Sequence, residues 1–217
     1  EELWRILPAS IKSQPGPDAI SLFHQLAEGT IKAVWIICTN PVASLPNRQH
    51  VIDGLKKAEL VIAQDVFVET ETNRYADIIL PGALWAEAEG VMVNSERDLT
   101  LMEQAINPPG QASADWRIIA RMAAALGYGD AFPHESADEV FDEIRQTWNP
   151  KTGYDLRGVH YDRLRQGPVQ WPCPPGAEGC NPIRYRQSGS SSPLAFPTAS
   201  GKARFFARPY TLPAELP

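Results

Sequence analysis

Two short turns hold the residue types best suited to gripping a ligand. Thr39-Asn40-Pro41 follows an apolar run at 32–38, and Gln64-Asp65 follows another at 60–63. The Asn40 amide offers two donors and an acceptor, and the Asp65 carboxylate can accept from two adjacent N–H groups. That chemistry suits the N1 and exocyclic amine edge of a guanine, or a ribose diol. The same residues also serve plain structure, because Asn40 can cap the next helix or close an Asx-turn and Asp65 can simply end a strand. Types and spacing leave both readings open.

The other polar clusters offer less. Glu87, Glu89 and Glu96 lie in a charge-rich stretch that reads as a solvated face. His24, His50, His134 and His160 are scattered without HxxxH spacing, so each reads as a helix-face or loop residue rather than a metal ligand. Three cysteines cannot furnish four zinc thiolates or the ligands of an iron–sulfur cluster, and an odd number argues against a disulfide scaffold. Cys38 reads as a small core residue at a strand end, and Cys173 and Cys180 as free thiols in a Pro/Gly loop. Neither GxGxxG nor GxxxxGK[ST] occurs, which removes most support for a nicotinamide or ATP site. No Ser, His and Asp stand in a nucleophile-elbow context.

The turns must be positioned by strands and helices. Residues 17–29 carry an apolar stripe of Ile20, Phe23 and Ala27 flanked by Leu22 and Leu26, with Pro at the start and Gly at the end, which predicts a helix. KAVWIIC (32–38), LVIA (60–63) and DIIL (77–80) are short runs with the content of parallel strands covered on both faces. Segments of helical length, 47–59 and 69–75, separate them. The order implies an α/β, doubly wound, Rossmann-like parallel sheet, whose ligands bind beyond the carboxyl ends of the strands at a switch in strand order. After Pro81 the pattern changes to a polar hairpin at 87–97, a helix at 115–127 with Ile118, Ile119, Met122 and Leu126 on one face, and a further helix opened by a Ser136/Glu139 capping box. Residues 1–148 read as one compact domain. Residues 149–217 read as a loop-rich connecting segment, partly mobile, with a Ser run at 188–192 and ten of the twenty prolines beyond position 166.

Composition narrows the setting. With 217 residues and 43% hydrophobic content the chain can bury a core. The balance of 20 Lys+Arg against 26 Asp+Glu gives a formal charge of -6, without a basic block to track phosphates, so nucleic acid is a poor partner. No run approaches a membrane span, and the first twelve residues lack the order of a signal peptide. The reading is a cytoplasmic protein with no membrane and no nucleic-acid partner.

Three segments in order, IKAVWIICTNPVASLPN (31–47), VIAQDVFVETETNRYADIILPGALWAEAEGVMVNSERDL (61–99) and SADWRIIARMAAALGY (113–128), resemble the molybdopterin oxidoreductases that bind a bis(molybdopterin guanine dinucleotide) cofactor. The resemblance falls in the branch of nitrate reductases and formate dehydrogenases. The tail, with GPVQWPCP (167–174), an arginine-tyrosine strand at 183–186 and FPTASGKARF (196–205), is most similar to assimilatory nitrate reductases, and related formate dehydrogenases share its VQWP element.

The resemblance implies an interior portion of a longer enzyme, with the molybdenum-ligating residue and a [4Fe-4S] cluster in an N-terminal part not represented here. It implies reduction of nitrate to nitrite, with electrons from ferredoxin, flavodoxin or an NADH-linked reductase subunit; formate oxidation is the alternative within the family. It places guanine dinucleotide contacts on Asn40, Gln64, Asp65 and Asp115, with Asp65 reading the guanine edge. Thr39 and Asp77 lie in matching motifs as supporting residues. Ala88 stands where the family often carries Lys, in WAEAEG against WxEKxG. A non-catalytic nucleotide-binding module is the reading from another class, and it is what the residues favour without the resemblance.

Overall fold

A computed structural model describes residues 15–150, 152–177, 185, 194, 196 and 198–212. The first twelve residues, Cys180, the Ser run and all of the 183–186 segment except Tyr185 lie outside the described residues.

Asp18, rather than Pro17, starts the first helix. Its carboxylate accepts the Ser21 N–H at 2.8 Å, and α1 (Ala19–Glu28) ends at Gly29, whose φ of 81° suits a residue without Cβ. Phe23 and Leu26 are buried while Ile20 is 49% exposed, so the buried stripe runs through 22, 23 and 26. β1 (Ala33–Ile37), α2 (Pro41–Ser44), α3 (Arg48–Lys57), β2 (Leu60–Asp65) and β3 (Ile78–Pro81) follow. The three strands pair in the order β1-β2-β3, all parallel, with Val34 opposite Val61 and Ile62 opposite Ile78.

Alternation along the strands divides the side chains between two faces. Val34, Ile36 and Val61 pack under α1 and α3 with Phe23, Leu26, Val51, Ile52 and Leu55. Gly54 lets α3 approach α1, because a Cβ there would lie 2.9 Å from the Phe23 carbonyl oxygen. Trp35, Ile62, Gln64 and Leu80 take the other face, where α4 (Asp115–Ala125) lies. Leu80, Ile118 and Met122 line a common cavity of about 570 Å³. Helices on both faces make this the α/β arrangement that the apolar runs predict. Coverage on the α4 side is looser, with Ile37 and Ile78 both exposed.

Two expectations are corrected here. The order β1-β2-β3 contains no reversal; the chain instead returns beyond β3, where Gly82 and Ser113 form a parallel bridge and so bring Asp115 to the carboxyl edge. The crossover from β2 to β3 is a loop with one 3-10 turn (Asn73–Tyr75), not a helix. Its side chains explain why: Thr70 Oγ1 accepts the Asn73 N–H at 3.1 Å and the Asn73 amide donates to the Phe67 carbonyl at 2.6 Å, both in place of helical bonds.

The hairpin forms from β4 (Gly90–Val93) and β5 (Asp98–Met102). α5 (Ala137–Ile144) opens with Ser136 Oγ accepting the Glu139 N–H, while the Glu139 carboxylate reaches back to the Glu135 N–H. Beyond β6 (Trp148–Asn149) and β7 (Tyr154–Asp155), α6 (Tyr161–Leu164) and β8 (Val169–Gln170) build a second core around Leu99, with Phe141, Leu156, Val159, Leu164, Val169 and Cys173. β8 pairs with β5. Residues 154–173 are therefore packed; their apolar positions are spaced by turns, which periodicity does not register. By compactness the chain divides at Ala177/Glu178. In the second unit Tyr185 stacks on Phe196 at 4.9 Å, and Phe196 donates its N–H to the Gly201 carbonyl.

Candidate cofactor-binding site

Gln64, Asp65, Asp115 and Asn40 all stand at the carboxyl ends of β1 and β2 or against them, and two of them are in direct contact. Gln64, on the α4 face, is 1% exposed and donates from Nε2 to Asp115 Oδ1 at 2.6 Å. The amide nitrogen faces the carboxylate and the amide oxygen points elsewhere. Gln64 Oε1 is buried and meets no hydrogen-bond donor among the described residues. Gly82 keeps this edge open: a Cβ there would lie 3.2 Å from Asp115 Oδ1.

Cys38 joins the same carboxylate. Its thiol donates to Asp115 Oδ1 at 3.4 Å, and its backbone sits at φ 54°, a left-handed conformation costing about 1–2 kcal/mol for a residue with a Cβ. The side chain is exposed, so Cys38 is not the core residue that its place after an apolar run suggests. Burial, the Asp115 charge and hydrogen bond, and the Asp65 charge push its pKa up to about 11. The thiol is protonated at neutral pH and acts as a donor.

Asn40 goes to other partners. It is the residue before α2, yet its side chain makes no capping bond; the Ala43 and Ser44 N–H groups go to its carbonyl instead. Its Oδ1 accepts from Thr72 Oγ1 at 2.6 Å and its Nδ2 donates to Glu71 Oε2 at 2.7 Å. That bond is the main reason the Glu71 pKa lies below the usual glutamate range. Asp65 closes an Asx-turn: Oδ1 accepts the Phe67 N–H at 3.0 Å and Oδ2 the Asn73 amide at 3.4 Å. Four lone-pair positions on the carboxylate leave capacity for a further donor.

The supporting residues diverge. Asp77 caps the Val61 N–H at 2.7 Å, at the amino end of the sheet and away from the site. Thr39 lines an apolar recess of about 210 Å³ beside Phe23 and Pro41. Glu87, read as solvated, is half-buried and accepts the Leu84 N–H at 2.9 Å. Ala88 lines a cleft of about 570 Å³ shared with Ser113, Trp116, Arg117 and Arg121. Sequence reasoning passed over Cys38, Glu71, Thr72 and Gly82. Only the Asn-Pro step hinted at the first, since such a pair marks a turn after the strand.

With this geometry in view, the comparisons with known proteins are decisive. The family model described as molybdopterin oxidoreductase matches residues 5–125. The chain belongs to the molybdopterin oxidoreductase family. The match spans all four residues expected at the site. Among curated relatives, the assimilatory nitrate reductase catalytic subunit of Bacillus subtilis is 39% identical over 73% of this chain and 22% of its own length. The F420-dependent formate dehydrogenase subunit alpha of Methanocaldococcus jannaschii is 37% identical over 86% of this chain and 26% of its own. A nitrate reductase of Klebsiella oxytoca reaches 45% identity over 73% of this chain and 19% of its own. This chain thus spans about a quarter of the length of the curated relatives it matches. In fold, it superposes on acetylene hydratase from Pelobacter acetylenicus with a TM-score of 0.56 at 24% identity, covering 68% of this chain and 20% of that one. Among the described residues no helix is long and apolar enough to cross a membrane.

Proposed function

We propose that residues 1–148 form a Rossmann-like domain that holds one guanine dinucleotide arm of a bis(molybdopterin guanine dinucleotide) molybdenum cofactor through Asn40, Gln64, Asp65 and Asp115. The observation that carries this reading is the Gln64 amide, buried at the end of β2, fixed by Asp115, and left with an acceptor oxygen that no described residue satisfies. An unmet buried acceptor costs about 1–3 kcal/mol. A ribose hydroxyl or a guanine N–H supplies the missing donor, and the spare lone pairs of Asp65 accept the rest of such an edge. The residues present therefore fit the nucleoside end of the group. No lysine stands at Ala88, but Arg117 and Arg121 line the same cleft and furnish positive charge for a phosphate.

When bound, the molybdenum group supplies two-electron oxygen-atom transfer; the domain orients its nucleotide tail. In a longer polypeptide with a [4Fe-4S] cluster, this sequence serves a cytoplasmic reductase that converts nitrate to nitrite, with ferredoxin, flavodoxin or an NADH-linked subunit as donor. Support comes from the GPVQWPCP and FPTASGKARF segments and from the relatives named nitrate reductase. Formate oxidation is the second reading, supported by the 37% identity over 86% of this chain to the Methanocaldococcus jannaschii relative.

Titration calorimetry of the 217-residue chain with GMP, GDP, ATP and NAD tests the domain's role. A guanine nucleotide should bind at least about tenfold more tightly than the adenine ones, as expected of a site built to hydrogen-bond a particular edge. Equal binding of ATP would overturn the assignment. The chain by itself should produce no nitrite with reduced viologen; nitrite from it would contradict placing metal ligand and cluster elsewhere. In a longer polypeptide carrying this sequence, formate oxidation without nitrate reduction would select the second reading.

A further inference from the structure

We propose that Thr72 and Glu71 lock the Asn40 side chain into one amide orientation, so that Thr72 is a positioning residue for the nucleotide site. The inference rests on Asn40 contacting the nucleotide.

Thr72 is fully buried, with 0% exposure, in the loop between β2 and β3, thirty-two residues from Asn40. Its hydroxyl has one proton to place. Oγ1 accepts the Val42 N–H at 3.1 Å, and its proton goes to Asn40 Oδ1 at 2.6 Å. On the opposite side of the amide, Glu71 Oε2 accepts from Asn40 Nδ2 at 2.7 Å. The Glu71 carboxylate, its pKa lowered chiefly by that bond, is ionised at neutral pH and can only accept.

Rotating the Asn40 amide by half a turn would set Oδ1 against the carboxylate, acceptor facing acceptor, and would leave the Thr72 proton without its partner. Both ends therefore select the same orientation. The locked amide presents one unused N–H and one unused lone pair, in fixed places. The lock also ties the turn after β1 to the crossover after β2, two loops that meet only at the carboxyl edge of the sheet. Without it, the asparagine amide can turn over and present a donor where a ligand needs an acceptor, or the reverse.

Three variants test the lock. Thr72→Val keeps the shape and removes the hydroxyl, Thr72→Ser keeps the hydroxyl, and Glu71→Gln puts a group that can donate where only an acceptor stood. GDP affinity is measured by calorimetry on the full 217-residue chain, and the Asn40 Nδ2 proton resonances are followed by NMR. We expect Thr72→Val to weaken GDP binding about fivefold, the worth of one neutral hydrogen bond, and Thr72→Ser to stay within about twofold of wild type. Thr72→Val and Glu71→Gln should each shift the Asn40 amide protons and narrow the separation between them, while Thr72→Ser should not. If Thr72→Val does not fold, Glu71→Gln at its exposed position carries the test. Unchanged Asn40 resonances in Glu71→Gln and Thr72→Val overturn the lock. Failure of the wild type to bind GDP would instead remove the nucleotide reading, and the resonances would still decide the lock.

Discussion

Replacing Asp115 with asparagine should make the Cys38 thiol reactive. Cys38 is exposed, yet its pKa is pushed up from 9.0 to about 11, first by burial, then by the charge of Asp115 and its hydrogen bond, and last by the charge of Asp65. Only the thiolate is nucleophilic, so near pH 8 the reactive fraction is about one in a thousand, against about one in ten for an unperturbed thiol. Asp115→Asn removes the charge but leaves burial and Asp65 in place, so it recovers part of that hundredfold. We expect iodoacetamide to label Cys38 about tenfold faster in the variant, read as a rate for the Cys38 peptide by mass spectrometry. Raising the pH in the wild type should accelerate labelling up to about pH 11. The buried Cys173, whose thiol pKa is also raised by burial, serves as the slow internal reference. Equal rates in variant and wild type, or wild-type labelling as fast as that of a free thiol, would refute the carboxylate cluster at the end of the sheet.

Other perturbations have definite signs. Gln64→Leu loses a hydrogen bond to a carboxylate, about 1.5–3 kcal/mol, and also an unmet buried oxygen, about 1–3 kcal/mol, so denaturant unfolding should move by no more than about 2 kcal/mol; a loss above about 3 would contradict the unmet oxygen. Gly54→Ala gains helix propensity of about 1 kcal/mol but sets a methyl 2.9 Å from the Phe23 carbonyl, so overpacking of about 1–3 kcal/mol should leave the variant less stable, and a higher unfolding midpoint would disprove the close approach of α1 and α3. Asp155 is held below the usual aspartate range by its hydrogen bonds to Arg157, at 3.0 and 2.8 Å. Its stabilisation is present above the unfolded value and is lost as pH falls through the lowered one, so Asp155→Asn should flatten the acid limb of a stability–pH curve; an unchanged limb would exclude that pair as its source.

The sheet was legible because its strands are nearly pure apolar runs, and α1, α3 and α4 because their faces repeat at helical spacing. The residues that end those elements spoke less clearly. Cys38 looks apolar by type, but its backbone takes a left-handed conformation at the strand end, where its side chain meets solvent and Asp115. The 66–77 crossover has helical length, yet Thr70 and Asn73 spend their side chains on its own backbone and prevent a helix. Leu156, Val159 and Leu164 complete a core only because β5 and α5 present Leu99 and Phe141 to them, a long-range fact that no local pattern contains. Of the residues proposed for the site, Gln64 and Asp115 touch each other, a contact that neither motif announces, whereas the partners of Asn40 came from a loop that reads as a connector.

The most direct test of the nucleotide assignment is to locate the bound base. In an NMR titration of the isotope-labelled chain with GDP, the largest amide shifts should fall on Asn40, Gln64, Asp65 and Asp115 and on the turns that carry them. Shifts concentrated instead on the cleft between Gln104 and Arg117, with the strand ends silent, would contradict the account.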